Sequence, residues 1–115
     1  MTVVGQADVY RLLQAADAHL GVLSTVLTDA VVVGVPNLIV VGQAQADLLG
    51  YVAAGVATPV RSVDDVRAAL AAPTPPDPDA RRRFLDAHYA AGDAAGRIAS
   101  LVATVAAGSL ARAQP

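Results

Sequence analysis

Over the first 72 positions, short apolar runs alternate with segments whose apolar residues recur at helical spacing. Residues 2–4 form a brief β-branched run. Val9, Leu12, Leu13 and Ala16 then recur three to four apart, behind Asp8, a residue type that caps helices. Residues 18–23 are an apolar run of strand length. Ser24-Thr25 follows as a helix start, and Gly34-Val35-Pro36 supplies a stop. Residues 37–41, Asn-Leu-Ile-Val-Val, give the clearest strand, bounded by Pro36 and Gly42. A helix over 46–54 closed by Gly55 comes next, followed by a strand over 56–60. Ser62-Val63-Asp64-Asp65 caps a helix reaching about residue 72, with two acids in its favourable first turn.

One segment sets propensity against topology. Val31-Val32-Val33 prefers strand by residue type. A strand there would leave no crossover between residues 23 and 38, and parallel neighbours need about a dozen connecting residues. Residues 25–33 are therefore read as helix. The resulting β-α rhythm predicts an α/β fold: an open parallel sheet of about four strands with helices on both faces. This partial Rossmann-like domain takes residues 1–72. A proline-dense linker covers 73–78, two Ala-rich helices cover 79–91 and 93–107, and 108–115 is expected to be a disordered tail.

Composition narrows the function classes. Hydrophobic residues make up 55% of the 115, chiefly 26 Ala and 18 Val, which excludes a disordered chain. The eight basic residues are all Arg and the ten acids all Asp, for a net charge of −2. That mixture offers no basic field for nucleic acid or acidic lipid. Zero Cys removes disulfides, thiolate metal sites and a Cys nucleophile. The longest charge-free stretch, 30–46, is broken by Gly34, Pro36, Asn37, Gln43 and Gln45, so no integral membrane span is expected. The first residues lack the pattern of a signal peptide, and a cytoplasmic location is the expectation.

The candidate chemistry lies at Ser24, Thr25 and Asp29. In open α/β sheets, ligands bind beyond the carboxyl ends of strands, where helix N-termini point N–H groups outward. Two hydroxyls at such a junction suit a phosphate, and a carboxylate one turn later suits ribose hydroxyls. The same spacing also fits a plain helix cap with an acid favouring the dipole. Gln43, just past the strongest strand, is a further candidate for lining the crevice, against the simpler reading of a polar loop.

Residues 8–70 resemble the later part of the C-terminal, nucleotide-sugar-binding domain of GT-B glycosyltransferases and the related UDP-N-acetylglucosamine 2-epimerase. The resemblance is carried by Ala16-Asp17, Ser24-Thr25, Asp29-Ala30, Gly34, Pro36 and Ile39, in that order. It continues through Gly55-Val56-Ala57, Val60, Asp64-Asp65-Val66 and Ala69-Leu70, and the run Gly92–Ile98 is similar to the ending of such chains. It implies that Ser24 and Thr25 contact the diphosphate of a nucleotide-sugar donor and that Asp29 binds its ribose. Asp29 stands where the pattern has Glu, one methylene shorter. The resemblance also implies a missing N-terminal acceptor domain or partner chain, so that this part is inactive alone. It implies neither cofactor nor metal. Two alternatives stay open: part of a 2-epimerase-like enzyme, or a non-catalytic α/β module that self-associates. A homo-oligomer is expected, because a cut sheet edge and apolar faces seek partners.

Other residues read more simply. His19 and His88 have no third ligand at metal spacing and are expected in structural or surface roles. Asp64 and Asp65 are expected to cap, since adjacent helical residues point about 100° apart. Arg81-Arg82-Arg83 reads as a solvated run, an interface to a missing domain, or a phosphate contact.

Overall fold

The computed structural model describes residues 1–42, 47, 49–89 and 92–113. The chain divides into two compact units, 1–85 and 86–115. Among the described residues, the first unit contains a three-stranded parallel sheet in the order β1-β2-β3, formed by His19–Gly21, Asn37–Val40 and Thr58–Val60. Leu20 lies beside Leu38 and Leu38 beside Thr58, so the register runs straight across the sheet. Helix α1 (Val9–Ala15) precedes β1, α2 (Val26–Val33) crosses from β1 to β2, and α3 (Val63–Ala71) follows β3. Helix α4 spans Pro78–His88, and α5, Ala94–Ala113, forms most of the second unit.

The α/β class and parallel sheet agree with the sequence pattern, but the described residues form three strands and not four. The Thr2–Val4 run is exposed and forms no strand, because β-branched residues make one only where a neighbour takes their backbone bonds. The helix expected over 46–54 is also absent from its described residues, which form hydrogen-bonded turns instead. Gly50 takes φ +70° there, and Asp47 holds the chain by accepting from the amides of Tyr51 and Val52, each at 2.7 Å. Among the described residues of this segment, one helical bond remains, from the Ala54 N–H to the Gly50 carbonyl. Helix α5 runs on to Ala113, past the Gly108 where the sequence suggests fraying.

Caps explain where the helices begin and end. Asp8 accepts from the amides of Tyr10 and Arg11 at the start of α1. Ser62 and Asp65 form a reciprocal capping box on α3. The Arg61 amide donating to Asp65 Oδ2 holds that carboxyl below its ordinary range, with Ser62 bonds adding to the effect. Asp64 pairs with Arg67 on the exposed face of α3. Helix α2 closes on Gly34, whose φ of +84° is left-handed and suits glycine.

The core lies between α2, the sheet and α4. Leu27 and Val31 of α2 meet Ile39 of β2, Val56, and Phe84 of α4. The Tyr51 and Phe84 rings are tilted at 33° with centroids 5.4 Å apart. A second cluster joins Leu13 of α1 to Ala30 and Val35. Gly21 permits the close approach of α2 to β1: a Cβ there would come within 2.7 Å of His19 Cε1 and 3.1 Å of Leu27 Cδ2.

Arg81 corrects the reading of the triple-arginine run. Its Nε donates to the Val31 carbonyl at 2.7 Å and its guanidinium also donates to Val32, so it caps the carboxyl end of α2. A cation is favoured at that end of a helix by the macrodipole. Arg82 pairs with Asp79 one turn back, an exposed ion pair of little weight.

Candidate functional site

The β1–α2 junction builds a cleft beyond the carboxyl ends of β1 and β2. Leu23, Ser24, Thr25, Leu27, Ile39, Leu49 and Tyr51 line about 150 Å³ of space. Leu23 has φ +32°, a left-handed conformation that costs energy for a residue with a branched side chain. That turn swings the chain from β1 into α2 and leaves Ser24 and Thr25 at the helix start.

Local bonds define what the two hydroxyls can offer. Ser24 Oγ accepts from the Val26 amide at 3.2 Å, which leaves its hydroxyl hydrogen to donate elsewhere. Thr25 occupies the cap position without making a side-chain capping bond. The amides of Leu27 and Thr28 donate back to the Ser24 and Thr25 carbonyls at 3.1 and 2.9 Å. Ser24 and Thr25 thus line the cleft at the positive end of α2, whose amides at Val26, Leu27 and Thr28 are already bonded locally, while the other lining residues are mainly apolar.

Asp29 is placed differently from Ser24 and Thr25. It lies one turn along α2 and is not among the residues lining the cleft. Its Oδ1 accepts from the Tyr10 hydroxyl of α1 at 2.9 Å, an exposed bond that ties the two helices. Gln43, the fourth candidate, lies outside the described residues, as does Gln45.

Two neighbouring features escaped the sequence reading. Thr28 Oγ1 and Tyr51 Oη share a hydrogen bond of 2.6 Å, which fixes the Tyr51 ring at the back of the cleft. Their separation of 23 residues carries no local signal. Asn37, 3% exposed, donates from Nδ2 to the Leu27 carbonyl at 3.0 Å and turns Oδ1 toward His19 Nδ1 at 2.8 Å. Since that amide oxygen only accepts, Nδ1 of His19 carries the proton. His19 thus has the structural role expected of it.

Among the described residues, no group of three or more His, Cys, Asp or Glu is arranged to hold a metal, and no helix is long and apolar enough to cross a membrane. Comparison of the chain with family models, curated proteins and solved structures finds no match.

Proposed function

We propose that the cleft is the diphosphate end of a nucleotide-sugar donor site, one part of a GT-B-like glycosyltransferase whose acceptor-binding domain lies outside this sequence. The observation that carries this reading is the pair of hydroxyls, Ser24 and Thr25, at the start of α2 beside the carboxyl ends of parallel strands. Glycosyl transfer breaks the bond between the sugar and the diphosphate, and negative charge grows on the departing phosphate oxygens. The dipole of α2 and the hydroxyls of Ser24 and Thr25, rather than its locally bonded first amides, stabilise that charge in this reading. Leu49, Ile39 and Tyr51 supply an apolar wall suited to the uncharged part of the donor. The base for the acceptor hydroxyl belongs to the domain outside this sequence. Asp29 lies one turn beyond the cleft and accepts from Tyr10, so as the ribose contact of this reading it would meet the donor outside the cleft lining.

Titration with UDP and with inorganic pyrophosphate tests the proposal. Each charge-assisted hydrogen bond contributes on the order of 1.5–3 kcal/mol. The Ser24→Ala/Thr25→Val double variant should therefore bind both ligands at least ~10-fold more weakly than wild type. Asp29→Asn retains an acceptor for Tyr10 and should weaken UDP while sparing pyrophosphate. Absence of UDP binding by wild type at millimolar ligand overturns the donor-site reading. Equal losses for UDP and pyrophosphate in Asp29→Asn would assign Asp29 to helix support alone.

A further inference from the structure

We propose that Leu23 is a ligand-contacting residue, whose side chain closes the mouth of the cleft against the base of the bound nucleotide. Left-handed backbone ordinarily falls to Gly, Asn or Asp, yet Leu23 adopts it at φ +32°. The fold does not offset that strain. Leu23 is 56% exposed and belongs to neither hydrophobic cluster, so its side chain adds little to stability. Glycine would make the same turn from β1 into α2 with less strain. What leucine adds is an apolar side chain on the lining of the cleft.

The rest of the lining indicates what that side chain meets. Leu27, Ile39 and Tyr51 are buried and make the floor, while Leu23 and Leu49, half exposed, make the rim. About 150 Å³ is the volume in which an apolar cavity admits a single benzene-sized ring. The hydroxyls of a sugar would go unpaired against these five side chains, whereas the faces of a nucleobase lose little there. The ring then lies on the leucines, and the phosphates lie at Ser24 and Thr25. Strain of this kind persists where a site needs it, at some expense of stability. The inference rests on the donor-site reading of Ser24 and Thr25 and requires no role for Asp29.

Titration of wild type, Leu23→Ala and Leu23→Gly with UDP and with inorganic pyrophosphate, together with their melting without ligand, separates backbone from side chain. Leu23→Ala keeps the left-handed turn and removes the contact. It should bind UDP about 5–10-fold more weakly, the effect of uncovering about half of the truncated carbons, with pyrophosphate affinity and Tm unchanged. Leu23→Gly also relieves the turn, so it should lose UDP affinity to a similar degree while its Tm rises by about 4 °C. A residue with a purely structural role would not couple a gain in stability to a loss in affinity. Unchanged UDP affinity in both variants, with wild type binding UDP and pyrophosphate, would overturn the role of Leu23 and leave the donor site standing. Equal losses for UDP and pyrophosphate in Leu23→Ala would overturn it in favour of shaping the phosphate turn. A lower Tm in Leu23→Gly would overturn it by showing that the fold needs the side chain. Wild type binding neither ligand would remove the donor site and this inference together.

Discussion

Leu27→Ala should lower the unfolding free energy by about 3–4 kcal/mol, the middle of the range for emptying a leucine site in a packed core. Leu27 is 1% exposed and meets both Val31 on its own helix and Ile39 on β2, so its removal leaves a void bounded by a helix and a sheet. Neither wall collapses easily, because the Asn37–Leu27 and Thr28–Tyr51 bonds hold α2 in place. A small domain has only about 5–15 kcal/mol of total stability, so the urea midpoint should fall steeply. Leu20→Ala is the matched control. Leu20 is 49% exposed, and the change should stay within about 0.5–1 kcal/mol. Similar losses for the two variants would show that α2 does not form the core boundary seen here.

Asn37→Leu should cost about 2–3 kcal/mol despite being close in volume and more apolar. The amide joins three elements at once: β2 through its backbone, α2 through the Leu27 carbonyl, and β1 through His19. The substitution leaves the half-buried His19 Nδ1 proton without its acceptor, and the penalty for an unmet donor exceeds the gain from the added methyl groups. A double-mutant cycle with His19→Phe separates the contributions. If His19→Phe recovers about 1 kcal/mol in the Asn37→Leu background, the unmet donor accounts for that share of the loss. Full stability in Asn37→Leu alone would mean that the three-way bond contributes nothing.

What the sequence made legible follows the range of the interactions involved. The three strands, α2 and the capping box of α3 rest on signals within a few residues: short, largely apolar runs, Ser62 three before Asp65, and Gly34 with Pro36 after the valines. The length of the crossover decided Val31-Val32-Val33 correctly as helix, against β propensity. Propensity failed at residues 2–4, where strand formation depends on a pairing neighbour. Over 49–55, Gly50 and the Asp47 cap limit the chain to turns that an apolar pattern does not distinguish from helix. At the site, the β1–α2 junction was visible because Ser24 and Thr25 are adjacent in the chain. The partners that shape it were not. Tyr51 reaches Thr28 across 23 residues and Asn37 reaches His19 across 18, and no spacing rule announces either.

The arginine clasp on α2 has a consequence for the order in which the chain assembles. Asn37 closes a loop of 18 residues with His19, whereas Arg81 must return across 50 to reach Val31. On loop-closure entropy alone, the longer return costs about 1 kcal/mol more. The β1–α2–β2 unit should therefore nucleate before α4 arrives, with the last carbonyls of α2 waiting in water for the guanidinium. Kinetically, that makes the clasp a late contact: Arg81→Met should accelerate unfolding and leave the refolding rate nearly unchanged. Stopped-flow rates reading equal effects on both limbs would place the clasp in the folding nucleus instead. During synthesis the same geometry makes α2 a helix whose far end is finished by residues translated long after it, so its completion is tied to the progress of the ribosome.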